Sequence, residues 1–438
     1  MSDELFEGLP EQAAPSRDQG GRPRLRRAER SQTELRATSL DELISEDHPA
    51  RLVWRFVEGL DLSDLYARIK AVEGRAGHPP ADPRVLVALW LFATIDGVGS
   101  ARRLAELCVS HAAYRWICGG VSTNHKSLSD FRTAHADWLD RTLTNSVAVL
   151  VHKKAVRLER IAQDGMKVRA SAGAASFRRR ETLGDCRKAA RERVRALKAE
   201  LEADPAEASR RERAARERAV REREARVEAA LAEMPAVEEK RKPTQKDKAR
   251  VSTTDPQARV MKMADGGYRP AYNVQLAAET EHRLIVGVCV TNGGGDQPHL
   301  EPMVDQVAAR YGQFPREVLA DGGFVSLDAI DRLDAVGVTL YAPPMKPRDA
   351  RRAPDAPRKG DSAAVLAWRR RMESDAAKAI YKERASTIEC VNAQIRNRGL
   401  RQFLVRGLEK VRAVALWHAL AHNLTISMTL QSTAAEAA

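Results

Sequence analysis

The chain predicts an α/β domain, preceded by an all-α, helix-turn-helix-like region and interrupted by a charged helical insertion. Three observations carry that expectation. Residues 43 to about 150 repeat apolar side chains at three- and four-residue spacings, the period of a helix. Residues 161–172 and 268–342 contain short apolar or alternating runs bounded by glycines, the pattern of strands with crossover helices between them. Between these two stretches, residues 176–250 are dense in Arg, Glu and Ala, a composition that suits exposed helices laced by i,i+4 ion pairs.

At 438 residues the chain has room for two or three domains with sizeable cores. Lys and Arg outnumber Asp and Glu by 73 to 60, a formal +13, with a pI near 9.7. Such a surplus favours a polyanionic partner, nucleic acid above all, with an anionic membrane surface as the competing explanation. No run reaches the roughly 18 uncharged apolar residues of a spanning helix, and no secretory pattern opens the chain, so no membrane partner is expected. Cys108, Cys118, Cys186, Cys289 and Cys390 are scattered, odd in number and never in a C-x-x-C pair. They make neither a disulfide framework nor a structural zinc site, and a reduced, cytoplasmic protein fits them.

In chain order, residues 1–40 are polar, with Arg22, Arg24, Arg26, Arg27 and Arg30 crowded together. They read as a disordered basic arm, able to trail over phosphates or only to solubilise. The helical region 41–150 follows. Asp82-Pro83 has the form of an N-cap with proline at the first helical position, and Val85 to Phe92 is apolar nearly all round, as a buried core helix is. Gly97-Val98-Gly99-Ser100 restarts the chain into a helix bearing Arg102 and Arg103. Gly119-Gly120 breaks a third helix, and a fourth starts near Ser127 and exposes Lys126, Arg132 and His135. Short helices, tight glycine turns and arginines suit DNA binding; a plain helical bundle is the alternative.

The segment Ile161 to Ala172 sets Met166, Val168 and Ala170 against Lys167 and Arg169 and carries one acid, Asp164. Its alternation is that of a half-buried strand. In the insertion, Pro205 and Pro235 should break the helices into a hairpin, either a solvated spacer or a DNA-clamping or self-associating arm. Two further strands lie at 268–277 and 284–290, and a helix runs from Pro298 to Tyr311, started by Asp296 after the Gly293-Gly294-Gly295 turn. A short strand then ends in Asp321 before two glycines, and a helix from 326 and a strand at 338–342 complete the α/β domain. Residues 376–430 are helical again. His418 and His422 have the spacing of a zinc pair but lack the following Glu, and read as packed histidines.

Three acids therefore stand on separate elements: Asp164 and Asp321 at strands and Glu389 on a helix. Carboxylate sites of this kind suit Mg²⁺ or Mn²⁺, and two such ions can drive in-line phosphodiester displacement. At 100° per residue Glu389 and Arg396 lie about 20° apart, with Asn392 about 60° from Glu389, so the three share a helix face. Lys167, Arg169, Arg384 and Arg396 would hold a DNA strand without joining the chemistry.

The chain resembles the bacterial insertion-sequence DDE transposases with an InsH-type N-terminal domain. At the N-terminal end the resemblance rests on Asp82-Pro83-Arg84-Val85-Leu86, Gly99-Ser100-Ala101-Arg102-Arg103-Leu104 and Tyr114-Arg115-Trp116-Ile117-Cys118-Gly119-Gly120. In the remainder it rests on Asp164-Gly165-Met166-Lys167-Val168-Arg169, Tyr272-Asn273-Val274-Gln275, Ala320-Asp321-Gly322-Gly323-Phe324 and Tyr381 through Glu389. It implies an RNase H-like catalytic region over residues 155–430 and a metal site at Asp164, Asp321 and Glu389. It also implies binding of double-stranded DNA at transposon ends and target, by a homo-oligomer in the nucleoid. The family's Tyr-Arg-Glu-Lys helix signature maps onto Tyr381, Arg384, Glu389 and Arg396. Arg replaces the usual Lys there, and four residues instead of three separate Arg384 from Glu389. The rival expectations are an RNase H-like nuclease without strand transfer and a catalytically silent DNA-binding descendant.

Overall fold

Helix caps written in the sequence organise the N-terminal region of the computed structural model, in which residues 31, 37–72, 74, 79–203, 210–344 and 356–436 are described. The basic arm falls almost wholly outside the described residues. Helices α1 (Pro49–Glu58) and α2 (Ser63–Tyr66) lead into α3 (Pro83–Ile95), where the Asp82 side chain accepts the Arg84 N–H and proline opens the helix. Every residue of α3 from Val85 to Thr94 is buried. α4 (Ala101–Ser110) is capped by Ser100, and α5 (Ala112–Cys118) ends on Gly119 at φ 54°, the left-handed conformation a glycine adopts without strain. α6 (His125–Ala134) begins two residues earlier than expected, because Asn124 caps it through Lys126 and Ser127, and α7 (Ala136–His152) completes the region.

The strand expected around Asp164 is β1 (Arg160–Arg169). A two-stranded ribbon of β2 (Phe177–Arg178) and β3 (Val251–Ser252) then brackets the charged insertion, α8 (Arg180–Ala203) and α9 (Arg210–Glu239). Pro235 lies inside α9 and does not end it, while Pro205 lies outside the described residues. The hairpin has a small core of its own, Leu183, Ala230, Met234, Ala249 and Val251, and is laced by pairs such as Arg180 with Glu238 at 2.6 Å.

β4 (Arg259–Lys262), absent from the sequence reading, is followed by β5 (Tyr268–Glu279) and β6 (Ile285–Thr291). α10 (Leu300–Tyr311), β7 (Glu317–Leu319), α11 (Leu327–Ala335) and β8 (Thr339–Tyr341) come next. The sheet order is β4-β5-β1-β7-β8, with β6 also on β5; β1 is antiparallel to β5 and parallel to β7. The result is a mixed sheet with helices crossing over between its parallel strands.

The C-terminal helices are α12 (Ala363–Glu373), also absent from the sequence reading, α13 (Asp375–Arg384), a π turn at Ala385–Glu389, α14 (Cys390–Asn397) and α15 (Leu408–Glu436). α15 joins the helical region to the sheet. Trp417 is fully buried and its Nε1 donates to Arg132 O at 2.9 Å, while Asn423 exchanges two 2.8 Å hydrogen bonds with the Ile285 backbone of β6. One continuous core runs through both regions, each fully buried Leu, Val or Phe contributing about 1.5–3 kcal/mol.

His418 and His422 are packed, as expected. The His422 Nε2 meets Arg283 O at 2.9 Å. Burial pushes the two imidazoles down to about 3 and about 4, so both stay neutral in the fold. Their folded values lie below the unfolded one of about 6.5, so the unfolded chain takes up the protons first. Their contribution is complete above about pH 6.5 and is lost as pH falls toward 4. Stability should drop through that window by up to about 1.4 kcal/mol per pH unit for each histidine. Urea midpoints between pH 7 and 4.5 measure it, and His418→Leu/His422→Leu should flatten the profile; a flat wild-type profile contradicts it.

Candidate active site

The parallel register of β1 with β7 pairs Ala162 with Leu319. Asp164 stands two residues farther along β1, and Asp321 two residues past the end of β7, at the same end of the sheet. Asp164 has the same alternation as Ala162 and Met166, so it points to the face covered by the C-terminal helices. Asn392 on α14 donates to Asp164 Oδ2 at 2.9 Å. Asp321 accepts the Gly323 N–H at 2.6 Å, which fixes its carboxylate at the start of the tight turn after β7.

Glu389 reaches this place through the π turn. In a regular α-helix residues five apart point about 140° away from each other. The wider turn at Ala385–Glu389 absorbs the extra residue, and Arg384 Nη2 donates to Glu389 Oε1 at 2.8 Å. The same guanidinium lies 3.9 Å from Asp164 Oδ1 and 5.9 Å from the centre of the Tyr381 ring. The longer spacing seen in the sequence thus leaves Arg384 and Glu389 on one face. Arg160 on β1 anchors the approach, pairing with Glu317 on β7 at 2.5 Å and Glu383 on α13 at 2.6 Å.

Burial raises the proton affinity of the Asp164 carboxyl, and the charges of Asp321 and Asp296 add to that; Arg384 and the Gly165 N–H oppose it. The donors gathered here are carboxylate oxygens and Asn392 Oδ1, which is buried with no hydrogen-bond partner among the described residues. That is a hard-oxygen set of the kind Mg²⁺ and Mn²⁺ take. Among the described residues no three acidic, His or Cys side chains yet stand close enough to share one ion. Arg384, between Asp164 and Glu389, supplies the positive charge that links them.

The other expected residues divide. Lys167 faces the opposite side of the sheet, 3.8 Å from Asp296, and so stands away from Glu389. Arg169 and Arg396 are exposed, and neither bonds to the three acids among the described contacts. Arg102 and Arg103 are exposed on α4, Arg103 paired with Glu106 at 3.1 Å. The expectation of an exposed Arg132 is overturned: its side chain is buried over the Trp90 ring, 4.6 Å from the centroid, because α6 packs that face against α3 and α15. His135, likewise expected to be exposed, is half-buried against Phe131.

Sequence reasoning missed Asp296. It does not cap the following turn; its Oδ1 instead accepts from Asn273 Nδ2 and Gln275 Nε2, both at 2.7 Å. Gly165 makes room for it, since a Cβ there would lie 2.5 Å from Gln275 Nε2 and closer still to Asp296 Oδ1. The available signal was the pair of carboxamides two apart within a buried run of β5, Asn273 and Gln275.

Two family models match the chain: a transposase domain (DUF772) over residues 38–134 and a transposase DDE domain over residues 239–424. Both matches are to transposase domains, as expected of an insertion-sequence DDE transposase. The second match takes in Asp321 and Glu389 and begins after Asp164. No curated protein and no solved structure gives a significant match. The DDE domain implies an RNase H-like fold and metal-dependent DNA cleavage and strand transfer, with DNA as the substrate and the divalent metal ions that DDE transposases generally use. Among the described residues no helix is long and apolar enough to cross a membrane.

Proposed function

We propose that the protein binds the terminal inverted repeats of an insertion sequence, cuts there and joins the ends to target DNA, with Asp164, Asp321 and Glu389 as the catalytic acids. What supports this reading is that the three acids lie at one end of the sheet: Asp321 follows β7, the parallel neighbour of β1, its charge is felt at Asp164, and Arg384 bridges Asp164 and Glu389. In the proposed site the three acids hold Mg²⁺ or Mn²⁺. Such ions, when bound, activate the attacking water or 3′-OH and stabilise the leaving oxygen of an in-line displacement.

The chain's own groups do the rest. Asn392 and the Gly165 N–H hold the Asp164 carboxylate in place. Arg384, backed by Tyr381, exchanges its carboxylate partners for the phosphate next to the scissile bond, a site where its planar fork can bind two oxygens. Arg396 and Arg169 extend the cationic track, and Arg102 and Arg103 contact DNA from the helical region. Residues 41–150 act as the DNA-binding domain and 155–430 as the catalytic domain, with a homo-oligomer assembling on the paired ends in the cytoplasm, at the nucleoid.

An assay with pre-cut ends and a separate target duplex tests the reading. The wild-type protein should join the ends in Mg²⁺. Cutting without joining would leave a nuclease, and inertness on the repeats flanking the coding region would leave a DNA-binding descendant.

A further inference from the structure

Where α4 begins, two adjoining cavities of about 330 and 360 Å³ share Gly99, Ser100, Arg132 and Leu404 as walls. The first continues to Arg398, Arg401 and His418; the second opens toward Arg102. Every charged residue lining either cavity is basic, and no Asp or Glu lines them.

Arg132 is only 6 % exposed. One Nη donates to Gly99 O and the guanidinium stacks on Trp90, but Nε has no hydrogen-bond partner among the described residues. Burial pushes Arg132 down to about 10 and lowers Arg398 as well, with no carboxylate opposing either shift. His418, whose buried Nδ1 also lacks a partner, feels both cations. Buried charges are ordinarily paired, because an unpaired one forfeits its hydration without return. The buried Arg132 and the half-buried Arg398, whose Nη1 meets the neutral His422 Nδ1 at 3.3 Å, face one space with no counter-charge lining it and call for an anion. The first turn of α4 adds N–H groups that no helix carbonyl can take, at the positive end of its dipole.

The place also fits the substrate's path. The segment carrying Arg401 is tied to the end of β1, with Arg169 N donating to Arg401 O at 3.3 Å and Phe403 N to Arg169 O at 2.8 Å. Arg169 lies five residues beyond Asp164, about 16 Å along the strand.

We propose that this junction cavity binds a phosphate group and, on the transposase reading above, a backbone phosphate of the DNA strand running to Asp164. The test uses the full-length protein in EDTA, with inorganic pyrophosphate as one probe and a terminal-repeat duplex as the other. Arg132→Gln risks the core, so Arg398→Gln carries the test, with Arg398→Lys as the charge-retaining control.

Millimolar pyrophosphate should raise the wild-type melting temperature by about 3 °C and leave Arg398→Gln unmoved. Arg398→Gln should also weaken duplex binding about tenfold and reduce the slope of log K against log salt by about one, with Lys restoring the slope. Loss of the pyrophosphate shift with an unchanged slope supports a phosphate site for a free anion and overturns the DNA assignment. No pyrophosphate shift in the wild type and an unchanged slope in the variant overturn the proposal. The pyrophosphate arm is independent of catalysis, so it stands or falls separately from the Asp164 reading.

Discussion

Asp164→Asn lowers strand cleavage by at least about a thousandfold, equivalent to about 4 kcal/mol of barrier, and leaves binding of the DNA ends within about twofold. The substitution keeps the shape of the side chain but removes one negative charge from the hard-oxygen set. DNA affinity comes mostly from cations meeting phosphates, and those stay in place. The fold should not suffer, because burial already penalises the Asp164 charge and an amide escapes that penalty. Asp321→Asn and Glu389→Gln should behave alike. Cleavage of an end-bearing duplex, read beside a gel shift on the same protein, decides it. Normal cutting by any one of the three variants removes that residue from the triad.

Asp296→Asn lowers cleavage by about ten- to a hundredfold, chiefly by raising the metal concentration needed for half-maximal rate. Its carboxylate accepts from two fully buried carboxamides and faces Lys167. Both carboxamides donate to the same oxygen, Oδ1, so an amide keeps its carbonyl on them and turns its NH₂ toward the Lys167 ammonium, which breaks the ion pair to the strand that carries Asp164. Gly165→Ala strikes the same point from the other side, since its methyl must displace Asp296, and it should destabilise the fold by about 1–3 kcal/mol. Mn²⁺ titration of the rate, with urea unfolding as the control for stability, separates the two effects. An unchanged metal dependence in Asp296→Asn would falsify the positioning role.

Features governed by local chemistry were legible in the sequence. Asp82, Ser100 and Gly119 announce helix ends because capping needs only near neighbours. The alternation of Met166 and Val168 with Lys167 named β1, and the same alternation could have warned that Lys167 and Asp164 occupy opposite faces. What stayed hidden depends on partners distant in the chain. Asp296 is a turn residue until β5 presents Asn273 and Gln275 to it, and Arg132 is a surface arginine until its guanidinium stacks on Trp90 and Trp417 donates to its backbone carbonyl. Pro235 misled for another reason: a single proline ends a helix only when its neighbours allow it, and the packed hairpin around Met234 holds α9 through it. The extra residue between Arg384 and Glu389 was visible, but only the π turn decides which way it points the acid.

The short β2–β3 ribbon also changes how fast the sheet can assemble. Arg169 and Ala271 pair across 101 intervening residues, 72 of which belong to the segment between Arg178 and Val251. Once Phe177 and Ser252 have met, that segment is closed off as its own ring, and the chain still to be gathered is about a third as long. By loop-closure entropy the shortcut is worth about 1 kcal/mol in forming the β1–β5 pair. The ribbon therefore lets a long charged hairpin sit between the first two catalytic-sheet partners with little slowing of their encounter.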